Sequence, residues 1–168
     1  TLPRLLSWSQ SSAAGIRNFS GTASYQTTFT VSRGILSRDA VLSLDLGDVQ
    51  VMVAVTLNGK SLGLLWKPPY RVDVTQAVKP GVNTLSVKVT NLWVNRMIAD
   101  AQLPDDSDRN QNGTLKAWPQ WLLDGKPSPT GRTTFTTWRL WGKNDTRQPS
   151  GLLGPVTLSV GKDVWLRQ

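Results

Sequence analysis

The chain has no cysteine, no histidine and no glutamate in 168 residues. Without cysteine there is neither a disulfide nor a thiolate metal site, so stability must come from the core. Without histidine no Ser-His or Cys-His nucleophilic pair exists, and no imidazole-ligated zinc. All 11 acids are aspartates, so acid/base work by paired carboxylates would need two of them. The missing glutamate also removes a good helix former. Val, Thr and Leu are frequent instead, which suits β-structure. No apolar run approaches the ~20 residues that span a bilayer, and no membrane partner is expected. The chain starts without Met and shows no signal peptide, which reads as a piece of a longer polypeptide.

The charge that is present is mostly positive: 19 Lys and Arg against 11 Asp, a net +8. The basic residues are dispersed, from Arg4, Arg17, Arg33 and Arg38 onward, with no block of five. That is the pattern of a solvated surface, and no nucleic-acid partner is expected; a groove for an anionic polysaccharide is the other reading. The length fits one domain that buries roughly 70% of its unfolded surface.

Hydrophobic alternation predicts the strands. Tyr25, Thr27, Phe29 and Val31 face one way, as do Leu42, Leu44 and Leu46, then Val51, Val53, Val55 and Leu57. Asn58-Gly59 is the pair that a two-residue type I′ hairpin needs, since both positions take positive φ. Lys60 to Trp66 returns from that turn, and Pro68-Pro69 breaks it. Tyr70 to Val74 is a short strand. Lys79 to Asn83 is a turn cluster, and Leu85, Val87 and Val89 alternate again. Thr133 to Leu140 and Pro155 to Val160 complete about eight strands in two antiparallel sheets, an all-β jelly-roll sandwich. Residues 1–14 read as a lead-in or linker, and 15–168 as a single domain. Met97 to Thr130 holds four prolines and an Asp/Asn run, and is predicted as a long loop of the kind that is functional or disordered.

The order L-N-G-K, then W-x-P-P-Y-x-V-D-V-T at Trp66 to Thr75, then K-P-G-x-N-x-L-x-V-x-V-T-N-x-W-x-N-R at Lys79 to Arg96, resembles the galactose-binding-like jelly-roll domain of family 2 glycoside hydrolases. It resembles even more the C-terminal jelly roll of enzymes like the family 106 α-L-rhamnosidases. FSGTASYQTTFTV, GRTTFTTWRLW and SGLLGPVTL extend the resemblance over roughly Gly15 to Val160. It implies a non-catalytic accessory domain of a bacterial glycoside hydrolase that binds plant or microbial polysaccharide. The alternative is a purely structural domain that braces the catalytic domain. The implied partners are a carbohydrate and that catalytic domain. A monomer is expected, secreted or periplasmic, and the catalytic acids of such enzymes lie in a separate barrel.

Eight tryptophans supply the candidate sugar contacts, because an indole face stacks on the C–H face of a sugar. Trp118, Trp121, Trp138 and Trp141 lie in or beside the long loop, where binding residues concentrate. Trp8 and Trp165 read as structural, and Trp66 and Trp93 as packing anchors. Asn95 and Arg96 end the V-T-N-L-W-V-N-R run. They would either bond sugar hydroxyls or a carboxylate, or, for Arg96, pin the loop through Asp100 or Asp106. Asp108-x-Asn110-x-Asn112-Gly113 matches the start of an EF-hand-type calcium loop, although position twelve is Pro119. It reads either as a structural calcium site or as a solvated Asx-rich turn.

Overall fold

The computed structural model describes residues 2–162; Trp165 lies outside them. The chain divides into two compact units. One holds Gly21–Asn91 with the described parts of Thr1–Ser7 and Ser150–Gln168, and the other holds Trp8–Ser20 and Leu92–Pro149.

Among the described residues the first unit contains nine strands: β1 (Thr22–Val31), β2 (Ala40–Asp45), β3 (Asp48–Gln50), β4 (Met52–Leu57), β5 (Lys60–Leu65), β6 (Arg71–Asp73), β7 (Gly81–Thr90), β8 (Gly151–Gly154) and β9 (Thr157–Lys162). They form a four-stranded ladder β1-β7-β4-β5, a three-stranded ladder β6-β2-β9 and a pair β3-β8, antiparallel throughout. This is the expected all-β architecture, with β3 and β8 in addition. Both are short and contain little alternation, so the sequence pattern does not announce them.

The alternating residues build the core. Val53, Val55 and Leu57 of β4 lie opposite Val89, Val87 and Leu85 of β7, and all six are nearly inaccessible. Leu42 and Leu44 of β2, with Leu46, Val49 and Val74, are equally buried. Each such side chain contributes about 1.5–3 kcal/mol when withdrawn from water.

The hairpin forms as its sequence dictates: Asn58 has φ 52° and Gly59 φ 81°. Asn58 also ties the neighbouring turn. Its Nδ2 donates to Ala77 O at 2.8 Å and to Asn83 Oδ1 at 2.7 Å, and its Oδ1 accepts from Thr84 N. Asn83 is fully buried but satisfied, since its Nδ2 donates to Lys79 O and Gly81 O. The W-x-P-P-Y-x-V-D-V-T segment is likewise structural where it is polar. The Tyr70 hydroxyl donates to Val51 O at 2.6 Å, Asp73 accepts from Thr75 N, and the Thr75 hydroxyl meets Leu42 N at 2.9 Å.

The second unit has little regular structure: α1 (Ala14–Arg17), α2 (Val94–Asp100) and α3 (Gln120–Leu123). Two expectations change here. Thr133 to Leu140 is not a strand; it is irregular and makes one isolated bridge, Thr114 to Trp138. Its alternation is broken because its polar groups are engaged by Asp100 and Arg109 rather than by a neighbouring strand. The long loop is also not featureless, since α2 runs into its start and α3 lies within it.

Candidate functional site

The second unit is assembled around charge. Asp100, at the end of α2, is fully buried. Its Oδ1 accepts from Arg96 Nη2 at 2.8 Å, the i,i+4 spacing that one helical turn provides. Its Oδ2 accepts from Thr134 N at 2.7 Å, Thr133 N at 2.8 Å and both threonine hydroxyls. Burial alone would raise this carboxyl. The Thr134 hydroxyl, the Thr134 and Thr133 N–H groups and the Arg96 charge outweigh that effect and hold it below the ordinary carboxylate range.

Arg132 extends the same logic, donating to Leu103 O, Pro104 O and Asp105. Asp105 sits between Arg132 and Arg139; the Arg139 hydrogen bond, more than any other influence, holds its carboxyl down. Arg109 donates to Gly113 O and Thr136 O and lies over the Phe135 ring at 6.0 Å.

Phe135 organises the aromatic residues. Trp118 packs on it at 5.9 Å, tilted by 34°, and Trp121 meets it edge-on at 5.8 Å. Trp118 nonetheless remains 56% exposed. Trp138, 54% exposed, is held by its Nε1, which donates to Asn112 O at 3.0 Å. Trp118 and Trp138 line one open cleft of about 430 Å³ together with Lys116 and Thr137. With the Trp138 N–H engaged by backbone, its ring face is what remains for a ligand.

The other expected site residues are placed differently. Trp121 is half-buried, with Nε1 donating to Asp106 O at 2.8 Å, and stands behind Phe135. Trp141 lines a separate small cavity of about 30 Å³ beside Arg109, Arg132 and Arg139. Asn95 is buried; its amide clamps Gln148, accepting from its N and donating to its O, both at 2.8 Å. Arg96 takes its loop-pinning alternative through Asp100. The expectation that Trp66 and Trp93 anchor the core is corrected: they are 64% and 59% exposed, because each follows the end of a strand rather than occupying an inward position.

The Asp108 to Gly113 run is hydrogen-bonded to Thr114 and within itself. Asn112 Oδ1 accepts from the Thr114 hydroxyl at 2.7 Å and from Thr114 N, and Asn110 Nδ2 donates to Thr114 Oγ1. The run is an Asx turn closing the Arg109 to Leu115 bridge. Among the described residues no three acidic side chains converge on a cation position.

Lys116 and Thr137 are cleft residues that sequence reasoning missed, and so is Phe135, on which Trp118 packs. Lys116 lies two residues from Trp118, whereas Phe135 and Thr137 come from a distant part of the chain.

A family model described as glycosyl hydrolase 2 galactose-binding domain-like matches residues 16–130. The chain belongs to this family. A protein of Formosa agariphila named "Putative beta-glucuronidase" is 52% identical over 156 residues, or 93% of this chain and 13% of that protein. A rhamnosidase structure from Novosphingobium sp. PP1Y superposes on 95% of the chain with TM-score 0.70 at 33% identity, covering 12% of that enzyme. The chain thus spans about an eighth of the length of these relatives. It is an accessory-sized domain of a glycoside hydrolase, not a catalytic unit.

Proposed function

We propose that this galactose-binding-like domain binds carbohydrate without catalysis and holds a larger glycoside hydrolase on its polysaccharide, outside the cytoplasm where such polymers are met. The observation that carries the reading is the pair of half-exposed indoles, Trp118 and Trp138, on one 430 Å³ cleft. Two fixed ring faces together with Lys116 and Thr137 match a pyranose chain: C–H faces stack on the rings, and hydroxyls meet the ammonium and hydroxyl groups. The cleft is open, so an internal stretch of chain fits as well as an end.

Each stacking contact is worth roughly 1–1.5 kcal/mol, near a tenfold change in affinity. Affinity electrophoresis across a polysaccharide panel tests this. Trp118→Ala and Trp138→Ala should each weaken retardation about tenfold, with Trp66→Ala unchanged. Retention of full affinity by the Trp118→Ala, Trp138→Ala double variant would place binding elsewhere or nowhere.

A further inference from the structure

The free edge of the four-stranded ladder carries a second exposed indole surface, and it differs in kind from the Trp118–Trp138 cleft. β5 is the end strand, paired only with β4. Leu64 lies opposite Ala54, and Leu65 opposite Val53. Val53 points into the core, so Met52, Ala54 and Leu64 point outward. Leu64 is 58% exposed and Met52 39%. Trp66 continues the outward alternation two residues past Leu64, with Lys67 Nζ 5.4 Å from its ring.

The patch sits on an edge strand that pairs on one side only, and the bulge of its ladder to β4 lies at Val55–Thr56, away from Leu64 and Trp66. Leu64 and Trp66 line neither the Trp118–Trp138 cleft nor the small cavity beside Trp141. An apolar strip with Met and Trp at its centre has the composition of a protein interface rather than of a sugar slot.

Charge narrows the partner. On this outward face the register places Thr22, Ser24 and Gln26 of β1 beside Thr90, Lys88 and Ser86 of β7, and Met52, Ala54 and Thr56 of β4. None is acidic. With Lys67 at the far end, the outward face of this ladder is neutral to positive. Two copies meeting through this strip would bring like charges together, whereas a surface with an apolar centre and a carboxylate rim would complement it. The relatives are roughly eight times longer than this chain, so most of such an enzyme lies outside it.

We propose that the Met52–Leu64–Trp66 strip is the docking surface for another domain of the same glycoside hydrolase polypeptide, through an apolar patch rimmed by carboxylates. The domain then meets the rest of the enzyme through its β5 edge.

This chain has no native cysteine, and peptide-level detection isolates position 64 in a longer polypeptide. Leu64→Cys is introduced into this chain and into the full-length polypeptide that carries it, and maleimide labelling at that position is followed by peptide mass spectrometry. Lys126→Cys, in the second unit, serves as the exposed reference. The expected result is rapid labelling of Leu64→Cys in the 168-residue chain and at least tenfold slower labelling in the longer polypeptide, relative to the reference. Equal rates in the two would overturn the proposal. So would protection in the short chain that grows with its concentration, since a second copy would then be the occupant. Leu64→Lys supplies a second reading. It should lower the melting temperature of the full-length protein by several degrees and leave that of the short chain unchanged, and an equal shift in both would count against docking.

Discussion

The two units of the molecule solve the same stability problem with different chemistry. The strand unit buries Val and Leu side chains in register, so that β4 and β7 present three matched pairs to one core. In the second unit the side chains that are fully buried among the described residues are Asn95, Ile98 and Asp100, all from α2. One unit is held by what avoids water, the other by polar groups that replace water. The second arrangement leaves its aromatics half-exposed, so that Trp118 and Trp138 line an open cleft.

The comparison breaks most sharply at Asp100. Asp100→Ala leaves Arg96 without its partner and the Thr133 and Thr134 N–H groups without an acceptor, a loss of about 3–5 kcal/mol. Leu57→Ala should cost a similar amount, about 2–5 kcal/mol, by opening a cavity in the strand unit. Acid separates them. An unfolded aspartate titrates near ~3.9, and folded Asp100 titrates lower. The unfolded state therefore takes up the proton first as pH falls. The stability due to Asp100 is present above about pH 5 and is lost as pH drops through the folded value. Urea melts from pH 7 to pH 3 should show a flattened acid limb for Asp100→Asn and an unchanged one for Leu57→Ala. Parallel curves for both variants would mean that the carboxylate is not what holds the second unit.

Next in size is a backbone contact within the strand unit. Gly47 has φ 65°, and a Cβ there would lie 2.5 Å from the Gly154 carbonyl carbon and 2.6 Å from its oxygen. Gly47→Ala should cost on the order of 3 kcal/mol from overpacking and left-handed strain together. Gly59→Ala, also at positive φ but with open space around it, should cost about 1 kcal/mol, the conformational part alone. Thermal melts of the pair measure the difference, and similar losses would show that the close approach of the two glycines contributes nothing.

These cases show what was readable in advance. Period-two alternation exposes its own meaning, so β1, β2, β4, β7 and the Asn58-Gly59 turn could be placed from the chain alone. The fold class followed. The second unit has no such period, because its contacts run between residues about 30 apart, such as Asp100 to Thr133 and Arg132 to Leu103. Alternation at Thr133 to Leu140 looked like a strand because a carboxylate acceptor on α2 leaves no trace in the local pattern. Tryptophan identity alone misled in both directions. Trp66 follows a strand yet faces solvent, and Trp121, in the loop, is half-buried with its N–H engaged.

That reversal gives a smaller-effect prediction. Trp66→Ala and Trp118→Ala both remove indoles that are more than half exposed, so each should change unfolding free energy by about 1 kcal/mol or less. Trp121→Ala should cost more, because it removes the edge-on contact with Phe135 and the bond to Asp106 O. Chemical denaturation gives the order directly. A large loss at Trp66 with none at Trp121 would restore the core-anchor reading that its exposure argues against.

The smallest expected effect is that of calcium. The Asp108 to Gly113 run has the oxygen-rich spacing of a calcium loop, but one of its amide oxygens, Asn112 Oδ1, is turned onto Thr114. The Asn112 amide oxygen already accepts two hydrogen bonds from that residue. A cation would have to displace both and would find Asp108 as the single carboxylate of the run. Calcium bound at a hundred times its dissociation constant would stabilise the fold by about 2.7 kcal/mol, a shift of several degrees in a domain of this size. Melting temperatures with millimolar calcium and with chelator should therefore agree within a degree. Asn112→Ala should lower stability by about 1 kcal/mol in either condition, through the lost turn bonds. A calcium-dependent rise that Asn112→Ala or Asp108→Ala abolishes would show that the turn opens to bind the ion. The difference between the units would then include a metal as well as a charge network.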